Sequence, residues 1–459
     1  MASSASLLIF LSIISLFYPS ISATQSTITL SLNHLTQNPF PDPWQTLTHF
    51  ASASLSRAKH IKNPKTKELS KTPLFPQSYG AYSVSLSFGT PPQTIPFVMD
   101  TGSVLVWFPC TQRYLCKNCT SQNPNTKTPT FLPKMSSSVK LIGCRNPKCS
   151  WIHDSDVQSR CTDCEANSTI CSQICPPYLV IYGFASTGGI LISETLDLVE
   201  KKVPNFAVGC SLFASGAPSG IAGFGRGSVS LPSQLGLKKF SYCLVSHRFD
   251  DSTQSSPLVL TGGSDTSDTK TAGVSYTPFV KNPVTGKPAF KVYYYVGLKK
   301  ITVGNKAVKI PYSYLSQGSD GNGGTIVDSG STFTFMESRV FELVAREVEK
   351  QTTYKRVTEV EALTGLRPCF DLSTAKSILL PKLTLHFKGG ADMELPLTNY
   401  FSLFGPNGVA CMTIVTDGVI RTNFSGGPAV ILGNFQMQNF FVEYDLDNQR
   451  FGFRQQICK

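Results

Sequence analysis

The sequence predicts an all-β protein with two related lobes. Among many short apolar segments in its 459 residues, Tyr82–Phe88 alternates polar and apolar side chains with the period of two expected of a half-buried strand. Its 35 Gly and 30 Pro have no triplet period, which excludes collagen and is typical of turns between short strands. A charged fraction of 15% beside 41% apolar residues argues against intrinsic disorder.

Residues 1–23 have the composition of a secretory signal peptide. The apolar stretch that starts at Leu7 and ends at Tyr18 is too short to span a bilayer, although no Lys or Arg precedes it. We therefore expect cleavage after Ala23 and no membrane anchor. The expected destination is extracellular, in the apoplast or cell wall, with the vacuole as an alternative.

Residues 24–77, here called the leader, are rich in Pro, Ser and Lys, with one helix expected around 44–60 and no core pattern of their own. They are interpreted as a propeptide or as a disordered leader. The whole chain carries a net charge of +12, but no run of like charges is long enough to mark a nucleic-acid-binding tail. We expect no nucleic-acid partner, a monomer, and electrostatic retention on acidic wall polysaccharide.

Short strands are expected along most of the remaining chain. After 82–88, turn residues at 89–92 lead into a second strand at 95–99, which ends at Asp100. One convincing long helix is expected at 338–351, with apolar side chains on one face. Further strands are expected at 178–182, 190–195, 206–209, 293–298, 300–303, 325–327, 383–387, 411–415 and 440–444.

Fourteen cysteines are present, nine of them between Cys110 and Cys175. Two Cys-x-x-Cys pairs have the spacing of zinc knuckles, but behind a signal peptide disulfides are the expected chemistry and no metal site is predicted. Three Asn-x-Ser/Thr sequons fit the same secretory route as candidate glycosylation sites: Asn118, Asn167 and Asn423.

An internal repeat divides the chain. Asp100-Thr101-Gly102-Ser103 resembles Asp328-Ser329-Gly330-Ser331, each after an apolar strand, and each is followed later by two apolar or small residues and a glycine, at 221–223 and 431–433. The repeat predicts an N-terminal lobe at 78–263, with a Cys-rich insertion at 110–175, and a C-terminal lobe at 290–459. The polar segment 264–289 is expected to link them.

The repeated motif also predicts a catalytic pair. If the lobes pack about a pseudo-twofold axis, Asp100 and Asp328 face each other, and Gly102 and Gly330 let their loops approach closely. Such carboxylates hold one proton between them, so that one takes a proton from water while the other polarises a carbonyl oxygen. The hydroxyl groups of the motif can support the pair by cross-lobe bonds from Thr101 and Ser329 and by bonds to the carboxylates from Ser103 and Ser331.

Other catalytic chemistries find little support in the sequence. It contains no Gly-x-Ser-x-Gly elbow, no His-Glu-x-x-His motif and no Walker A loop. Carboxylate pairs also serve glycosidases, but those enzymes do not need duplicated Asp-Thr/Ser-Gly loops. We therefore expect hydrolysis of a protein or peptide substrate at acidic pH without a cofactor.

Several motifs together resemble the pepsin-family aspartic proteases of the nepenthesin-like plant subgroup, over about residues 79–458. Beside the two aspartate loops, they are Gly89-Thr-Pro-Pro-Gln93, Leu105-Val-Trp-Phe-Pro-Cys110, Phe240-Ser-Tyr-Cys-Leu244, Leu432-Gly-Asn-Phe-Gln436 and the segment 444–453. The resemblance implies a bilobal pepsin-like fold of two β-barrel lobes with the active-site cleft between them. It also implies an inhibitory prosegment, which we expect to leave in acid with cleavage near 71–78.

The same resemblance implies a flap hairpin that carries Tyr182, with Trp107 as the hydrogen-bond partner of that tyrosine. Phe184-Ala185 replaces the commoner Asp-Gly or Ser-Gly at the flap tip. Three disulfides are implied: Cys119–Cys210, Cys243–Cys458 and Cys369–Cys411. The pairing of the other eight cysteines stays open: Cys110, Cys116, Cys144, Cys149, Cys161, Cys164, Cys171 and Cys175.

A non-enzymatic alternative comes from the same fold. Some plant relatives act as inhibitors or binding proteins of carbohydrate-active enzymes after losing part of the catalytic set. Both aspartate loops and Tyr182 are intact in this sequence, which favours the enzyme. A structural cell-wall glycoprotein is a third reading, supported only by the sequons and the positive charge.

Overall fold

The computed structural model describes the leader and both lobes in most of their length. The described residues are 26–34, 42–62, 80–117, 119, 128–153, 157–162, 164, 171–183, 185–216, 219–246, 255–263, 270–285, 287–402, 408–419 and 426–459. The predicted signal peptide, the expected cleavage region at 71–78 and the three sequons (Asn118, Asn167 and Asn423) lie outside the described residues. Within them, no helix has both the length and the apolar character needed to cross a bilayer.

Strands dominate, as the sequence predicts. They are β1 (Ser26–His34), β2 (Tyr82–Phe88), β3 (Gln93–Asp100), β4 (Trp107–Pro109), β5 (Leu115–Lys117), β6 (Lys140–Leu141), β7 (Tyr178–Ile181), β8 (Ser186–Asp197), β9 (Lys202–Ser215), β10 (Gly220–Gly223), β11 (Lys239–Cys243), β12 (Ser255–Gly262), β13 (Ser275–Pro278), β14 (Tyr294–Val296), β15 (Leu298–Val303), β16 (Lys306–Ala307), β17 (Thr325–Val327), β18 (Thr334–Met336), β19 (Cys369–Asp371), β20 (Leu383–Phe387), β21 (Asp392–Leu395), β22 (Phe401–Ser402), β23 (Val409–Met412), β24 (Ile414–Val415), β25 (Val430–Leu432), β26 (Phe440–Asp445) and β27 (Arg450–Gln455).

Helices are few and mostly short. They are α1 (Pro43–Lys62), α2 (Pro147–His153), α3 (Val157–Arg160), α4 (Leu231–Leu235), α5 (Tyr312–Leu315), α6 (Ser338–Lys350), α7 (Thr358–Thr364) and α8 (Leu397–Tyr400), with 3₁₀ turns at Pro133–Met135, Pro288–Val292, Lys388–Gly390 and Asp417–Val419. The two long helices, α1 and α6, lie where helices are expected, and apolar spacing predicted α6. In α6 the predicted face is buried, including Val340, Phe341 and Val344.

The strands form one large sheet and three small ones. The large sheet has 15 strands and runs through both lobes in the order β13-β27-β26-β11-β12-β1-β2-β3-β10-β4-β9-β8-β6, with β5 and β7 attached at β9 and β8. Sheets of five, four and three strands complete the C-terminal lobe. The structure therefore has the predicted all-β, two-lobed architecture. The segment expected to be a plain linker, 264–289, contains strand β13, which pairs with β27 near the chain end.

The leader contributes a central strand, which the sequence analysis did not expect. Strand β1 pairs antiparallel with β12, where Ile28 lies opposite Leu260, and with β2, where Leu32 lies opposite Val84. Ile28 and Leu32 are buried in the main hydrophobic core. The leader shows no core pattern of its own because the apolar side chains of β1 pack into the core of the lobes.

The sequence repeat corresponds to a repeated pair of parallel strands. In the N-terminal lobe β3 runs parallel to β10, with Asp100 opposite Gly223. In the C-terminal lobe β17 runs parallel to β25, with Val327 opposite Leu432. Each aspartate loop therefore emerges beside the glycine-ended segment of its own lobe, at 221–223 or 431–433, and the two copies use the same local topology.

All fourteen cysteines form disulfides, and one predicted pairing is wrong. Cys243–Cys458 and Cys369–Cys411 are joined as expected. The predicted Cys119–Cys210 bond is not formed, because β4 runs parallel to β9 with Pro109 opposite Ser211 and so brings Cys110 to Cys210. The remaining pairs are Cys116–Cys119, Cys144–Cys161, Cys149–Cys175 and Cys164–Cys171.

Candidate active site

The two predicted aspartates lie at equivalent places in the two lobes. Asp100 is the last residue of β3, and Asp328 directly follows β17. Their exposed fractions are 2% and 0%, so both carboxylates lie below the surface where the lobes meet. Burying two carboxyl groups costs free energy unless they accept hydrogen bonds and avoid carrying two negative charges at once. The surrounding loops supply the hydrogen bonds.

Reciprocal hydrogen bonds lock the two loops together. The Thr101 amide donates to Ser329 Oγ at 3.1 Å, and the Ser329 amide donates to Thr101 Oγ1 at 2.9 Å. Each hydroxyl also donates to a carbonyl of the opposite lobe, Thr101 to Val327 at 3.3 Å and Ser329 to Met99 at 3.0 Å. The lock is symmetric, and it holds the aspartates in register across the interface, as the sequence analysis predicts.

Two glycines make the close approach of the loops feasible. A side chain on Gly102 would place its Cβ 2.5 Å from Asp328 Oδ1, and one on Gly330 would collide with Asp100 Oδ1. Both of these contacts would be closer than those that Cβ atoms make in real structures. Glycine is therefore required at both positions if the carboxylates are to face each other.

The two carboxylates differ in the hydrogen bonds that they receive. The amide two residues further on donates to each of them, Gly102 to Asp100 at 2.9 Å and Gly330 to Asp328 at 3.0 Å. Ser331 Oγ adds a 2.7 Å bond to Asp328, as expected. Ser103 Oγ is buried and makes no hydrogen bond of good geometry, although it lies close enough to Asp100 to lower the pKa of that carboxyl group.

A leader side chain binds both aspartates. Arg57 in α1 donates from Nη2 to Asp100 Oδ1 at 2.7 Å and to Asp328 Oδ1 at 3.3 Å, and from Nε to Asp328 Oδ2 at 3.0 Å. The arginine is 4% exposed. One guanidinium thus bridges the two carboxylates that the sequence analysis pairs.

These contacts shift the pKa values of the two carboxyl groups in opposite directions. Burial is the largest influence on Asp100, and with the charge of Asp328 it holds the pKa of Asp100 above its ordinary value in spite of Arg57. Burial also acts to raise the pKa of Asp328, but the charge and hydrogen bond of Arg57, with the bonds from Ser331 and Gly330, hold it below the ordinary value. The pair therefore titrates as one unit with split values.

The hairpin of β7 and β8 forms the predicted flap. Trp107 Nε1 donates to Tyr182 Oη at 2.9 Å, which is the partnership that the resemblance implies. Both side chains are buried, and burial raises the pKa of Tyr182. The flap backbone at Gly183 lies directly against Arg57 and Ser56, so the flap rests on the leader helix. Phe184, at the tip, lies outside the described residues.

Helix α1 covers the C-terminal lobe beside the aspartates. Phe50 packs edge-to-face on Phe333 with ring centroids 5.8 Å apart, and Ser54 Oγ accepts the Phe333 amide at 2.9 Å. The apolar face of α1 packs into a buried cluster of the C-terminal lobe and includes Leu47, Phe50, Ala51, Leu55, Ala58 and Ile61. The leader helix is therefore anchored by an apolar stripe as well as by the ion pairs of Arg57.

Arg57 is the main residue that the sequence analysis missed. That analysis predicted the helix and an inhibitory prosegment, without assigning a contact to this side chain. The signal was available in the helical spacing, because Arg57 continues the buried stripe formed by Phe50, Ser54 and Ile61. A charged side chain on an apolar stripe is rarely buried without a partner of opposite charge.

One cluster of the described residues has the composition of a metal site. The ligand atoms of Cys149, His153 and Cys175 lie within 4.8 Å of one another. The two sulfur atoms are joined in a disulfide, and His153 Nε2 lies 2.8 Å from the Pro176 carbonyl oxygen. Because thiolates are the species that bind metal, this oxidised group does not supply the donors.

Two family models match the lobes separately. Residues 82–262 match the model described as xylanase inhibitor N-terminal, and residues 293–455 match the one described as xylanase inhibitor C-terminal. Both ranges exclude the leader. The matched ranges contain both aspartate loops, the flap and the parallel strand pairs that support them.

Similar proteins include plant proteases and two proteins of known structure. The chain is 32% identical to aspartic proteinase nepenthesin-1 of Nepenthes gracilis over 83% of this chain and 78% of that protein. It is 33% identical to aspartyl protease family protein 2 of Arabidopsis thaliana, over 83% and 72%. The solved structure of edgp matches with a TM-score of 0.62 at 20% identity over 95% and 96% of the two chains. That of soybean basic 7S globulin matches at 0.60, with 17% identity over 94% and 97%.

Proposed function

The chain belongs to the pepsin-like aspartyl proteases of plants, and from that membership we propose that it is a secreted aspartic endopeptidase, active in acid. The observation that carries the proposal is the paired arrangement of Asp100 and Asp328. Their carboxylates face each other across a reciprocal hydrogen-bond lock, and one guanidinium reaches both.

The pair supports direct attack by water. With one proton on the pair, the ionised carboxylate takes a proton from a water molecule while the water oxygen bonds to the peptide carbonyl carbon. The protonated carboxyl gives its proton to the carbonyl oxygen. When the tetrahedral intermediate collapses, the C–N bond breaks, the leaving nitrogen takes the proton gained from water, and a hydroxyl proton of the intermediate returns to the other carboxylate. No covalent intermediate forms, and the pair ends as it began.

The flap supplies the cover that this chemistry needs. Tyr182 and Trp107 fix the hairpin over the Asp100 side of the cleft. A closed flap excludes bulk water and strengthens the electrostatic interactions below it. In the described state the same hairpin rests on the leader helix, so the substrate is expected to take the place of that helix.

The leader accordingly acts as an inhibitory prosegment. Arg57 neutralises the pair and fills the space between its oxygens, which blocks the water. The contribution of the Arg57–Asp328 contact is present above the ordinary aspartate pKa and is lost as the pH falls through the lowered pKa of Asp328. Asp100, whose pKa is raised, binds its proton first on acidification. Strong acid thus removes both partners of the guanidinium.

Peptide cleavage tests the proposal. Full-length protein is brought to about pH 3–5 and incubated with a peptide library, with and without pepstatin, beside the Asp100→Asn variant. We expect cleavage that pepstatin stops, with a loss of about 10²–10⁴-fold in the variant. Cleavage that survives the substitution would refute the mechanism. The N-terminus of the product reports maturation: if it stays unchanged in acid without added protease, self-activation is wrong.

A binding function is the second candidate, because the matching family models are described as xylanase inhibitors. In that case the protein would bind a carbohydrate-active enzyme at the plant cell wall without needing its aspartates. Inhibition of a xylanase by full-length protein, unchanged in Asp100→Asn, together with no peptide cleavage at any acidic pH, would favour this alternative over the protease.

Extracellular retention is part of the same proposal. The net charge of +12 favours binding to acidic wall polysaccharide. Such binding is screened by salt, so the protein should elute from a cell-wall fraction at moderate ionic strength. Elution that does not depend on salt would contradict electrostatic retention.

A further inference from the structure

The C-terminal lobe holds a leader lysine in a fully enclosed site. Lys62, the last residue of α1, has no solvent-exposed surface. Its Nζ donates to Glu337 Oε2 at 2.8 Å and to the Pro428 carbonyl oxygen at 3.1 Å, and it lies 5.4 Å from the ring centroid of Phe335. A carboxylate, a carbonyl and an aromatic face are together a full set of partners for an ammonium group.

The partners of Lys62 all belong to the lobe and not to the leader. Phe335 lies in β18, Glu337 directly follows that strand, and Pro428 lies just before β25. Both strands belong to the five-stranded sheet that also contains β17 and so positions Asp328. When the leader departs, this site therefore remains in place at a fixed position relative to the catalytic pair, without its cation.

A second acid adds negative charge to the emptied site. Asp417 accepts the Ser338 amide at 2.8 Å at the start of α6. Burial is the largest cause that raises the pKa of Asp417, the charge of Glu337 raises it further, and Lys62 lowers it. Glu337 loses its ion-pair partner when the leader departs, and the nearby charge of Asp417 adds to the cost, so the site favours a replacement of the same charge.

The position of the site relates it to the substrate. Lys62 follows Arg57 by five residues, which in a helix corresponds to about 7.5 Å along the axis. A substrate bound in extended form rises by about 3.3 Å per residue, so a side chain roughly two or three residues from the bond to be cleaved falls at the same distance. The Lys62 backbone is also held, since Lys287 Nζ lies 3.3 Å from its carbonyl oxygen.

We infer that Glu337, Phe335 and the Pro428 carbonyl form a specificity subsite of the mature enzyme, which binds a lysine or arginine side chain of the substrate two or three residues from the scissile bond. This inference rests on the proposed protease function. The leader lysine is then an internal substitute for the substrate side chain, as Arg57 is for the attacking water.

Paired peptides test the subsite. The full-length protein is acidified, or clipped by limited trypsin at the lysines between 63 and 77, and assayed at about pH 5, where ordinary glutamate side chains are mostly ionised. Peptides carry either lysine or norleucine at each position two or three residues from the cleaved bond, on both sides. At one of these positions we expect kcat/KM to favour lysine by about 10- to 100-fold.

Variants assign the preference to the site. Glu337→Gln should reduce the lysine-to-norleucine ratio by about 10-fold, and Glu337→Lys should reverse it. Both peptides are compared on the same preparation of each variant, so a change in the amount of folded protein cancels from the lysine-to-norleucine ratio. The matched control is Glu394→Gln, since Glu394 is an exposed acid paired with Lys382 outside the cleft, and its ratio should equal that of the native enzyme.

Two results would overturn the inference. One is equal cleavage of lysine and norleucine peptides at every tested position, and the other is a preference that Glu337→Gln leaves unchanged. If no peptide of either kind is cleaved, the proposed function fails first. Binding of the same peptides to the clipped Asp100→Asn protein, measured by fluorescence anisotropy, then still decides whether the site selects lysine.

Discussion

The two lobes carry the same aspartate loop under different covers. Seven residues after Asp100 stands Trp107, which donates a hydrogen bond to Tyr182 of the flap. Seven residues after Asp328 stands Phe335, and the leader Lys62 lies over its ring. The cover of the N-terminal lobe is thus a hairpin of that lobe, whereas the cover of the C-terminal lobe is a separate helix joined through residues that follow position 62.

The difference also reaches the carboxylates. The loops are locked symmetrically, yet the pKa of Asp100 is raised and that of Asp328 is lowered. Arg57 donates two hydrogen bonds to Asp328 and one to Asp100, and Ser331 Oγ adds a 2.7 Å bond to Asp328. The duplicated motif therefore gives a symmetric lock, while the chemical inequality of the pair comes from the uneven contacts of Arg57 and of the motif serines.

Removing the guanidinium should have the largest effect on this comparison. Arg57→Met leaves two buried carboxylates without their cation, and breaking a buried ion pair costs about 3–5 kcal/mol. We expect the full-length variant to bind immobilised pepstatin at about pH 5, under conditions in which native precursor does not. Arg346→Gln, at an exposed position of α6, is the control. Native-like exclusion of pepstatin by Arg57→Met would show that the apolar stripe alone keeps the helix in place.

The equality of the two loops is tested by their glycines. Gly102→Ala and Gly330→Ala each direct a methyl group at the opposite carboxylate and should lower kcat/KM of the activated protein by about 100-fold, the effect of a misplacement of about 1 Å. Gly143→Ala, whose Cβ would make an ordinary 3.7 Å contact, should have no effect. A loss confined to one loop would break the symmetry of the catalytic pair.

The helix cover should respond to pH through His60. Burial, with the charge of Arg57, lowers the pKa of His60 from 6.5 to about 4 in the docked helix. The released form binds the proton more readily, so docking weakens as the pH falls from about 6.5 to about 4. His60→Gln removes this effect and should lower the midpoint of leader release by about half a unit to one unit.

Release is followed by intrinsic fluorescence and by N-terminal sequencing across the pH range. The neighbouring Lys59→Gln, at an exposed position of the same helix, should keep the native midpoint. A midpoint for His60→Gln that equals or exceeds that of the native protein would exclude a contribution from this histidine.

The smallest effect concerns the serines of the two loops. Ser331→Ala removes a hydrogen bond to the Asp328 carboxylate worth about 1 kcal/mol, so the pKa of Asp328 rises and the leader should leave at a higher pH. Ser103→Ala is the matched partner and should change the release midpoint less, because Ser103 Oγ makes no hydrogen bond of good geometry to Asp100. Equal shifts in both variants would mean that the loops differ less than their contacts indicate.

Local and repeated features were predictable from the sequence. The strand at Tyr82–Phe88 and helix α6 follow from side-chain periodicity, and the aspartate pair follows from a motif that occurs twice in the same order. The lock by Thr101 and Ser329 follows as well, because two hydroxyls at equivalent positions of facing loops have few other partners.

Features that depend on distant pairing were not predictable in the same way. The apolar side chains of β1 are buried only because β2 and β12 flank the strand in the sheet. Cys110 meets Cys210 because β4 and β9 are parallel neighbours, and no spacing along the chain encodes that neighbourhood. Helical spacing places Arg57 on the buried face of α1, but the acids that it meets there depend on where the helix docks, and no local pattern encodes that.

The pH dependence of kcat/KM for one peptide substrate tests the central claim most directly, namely that Asp100 and Asp328 hold one proton between them and act together. Activated protein is assayed from about pH 2 to about pH 7, beside Asp328→Asn. We predict a maximum in acid with two separated apparent pKa values, as expected of a coupled pair, and no comparable activity in the variant. Activity that stays constant up to neutral pH, or that Asp328→Asn retains, would contradict the claim.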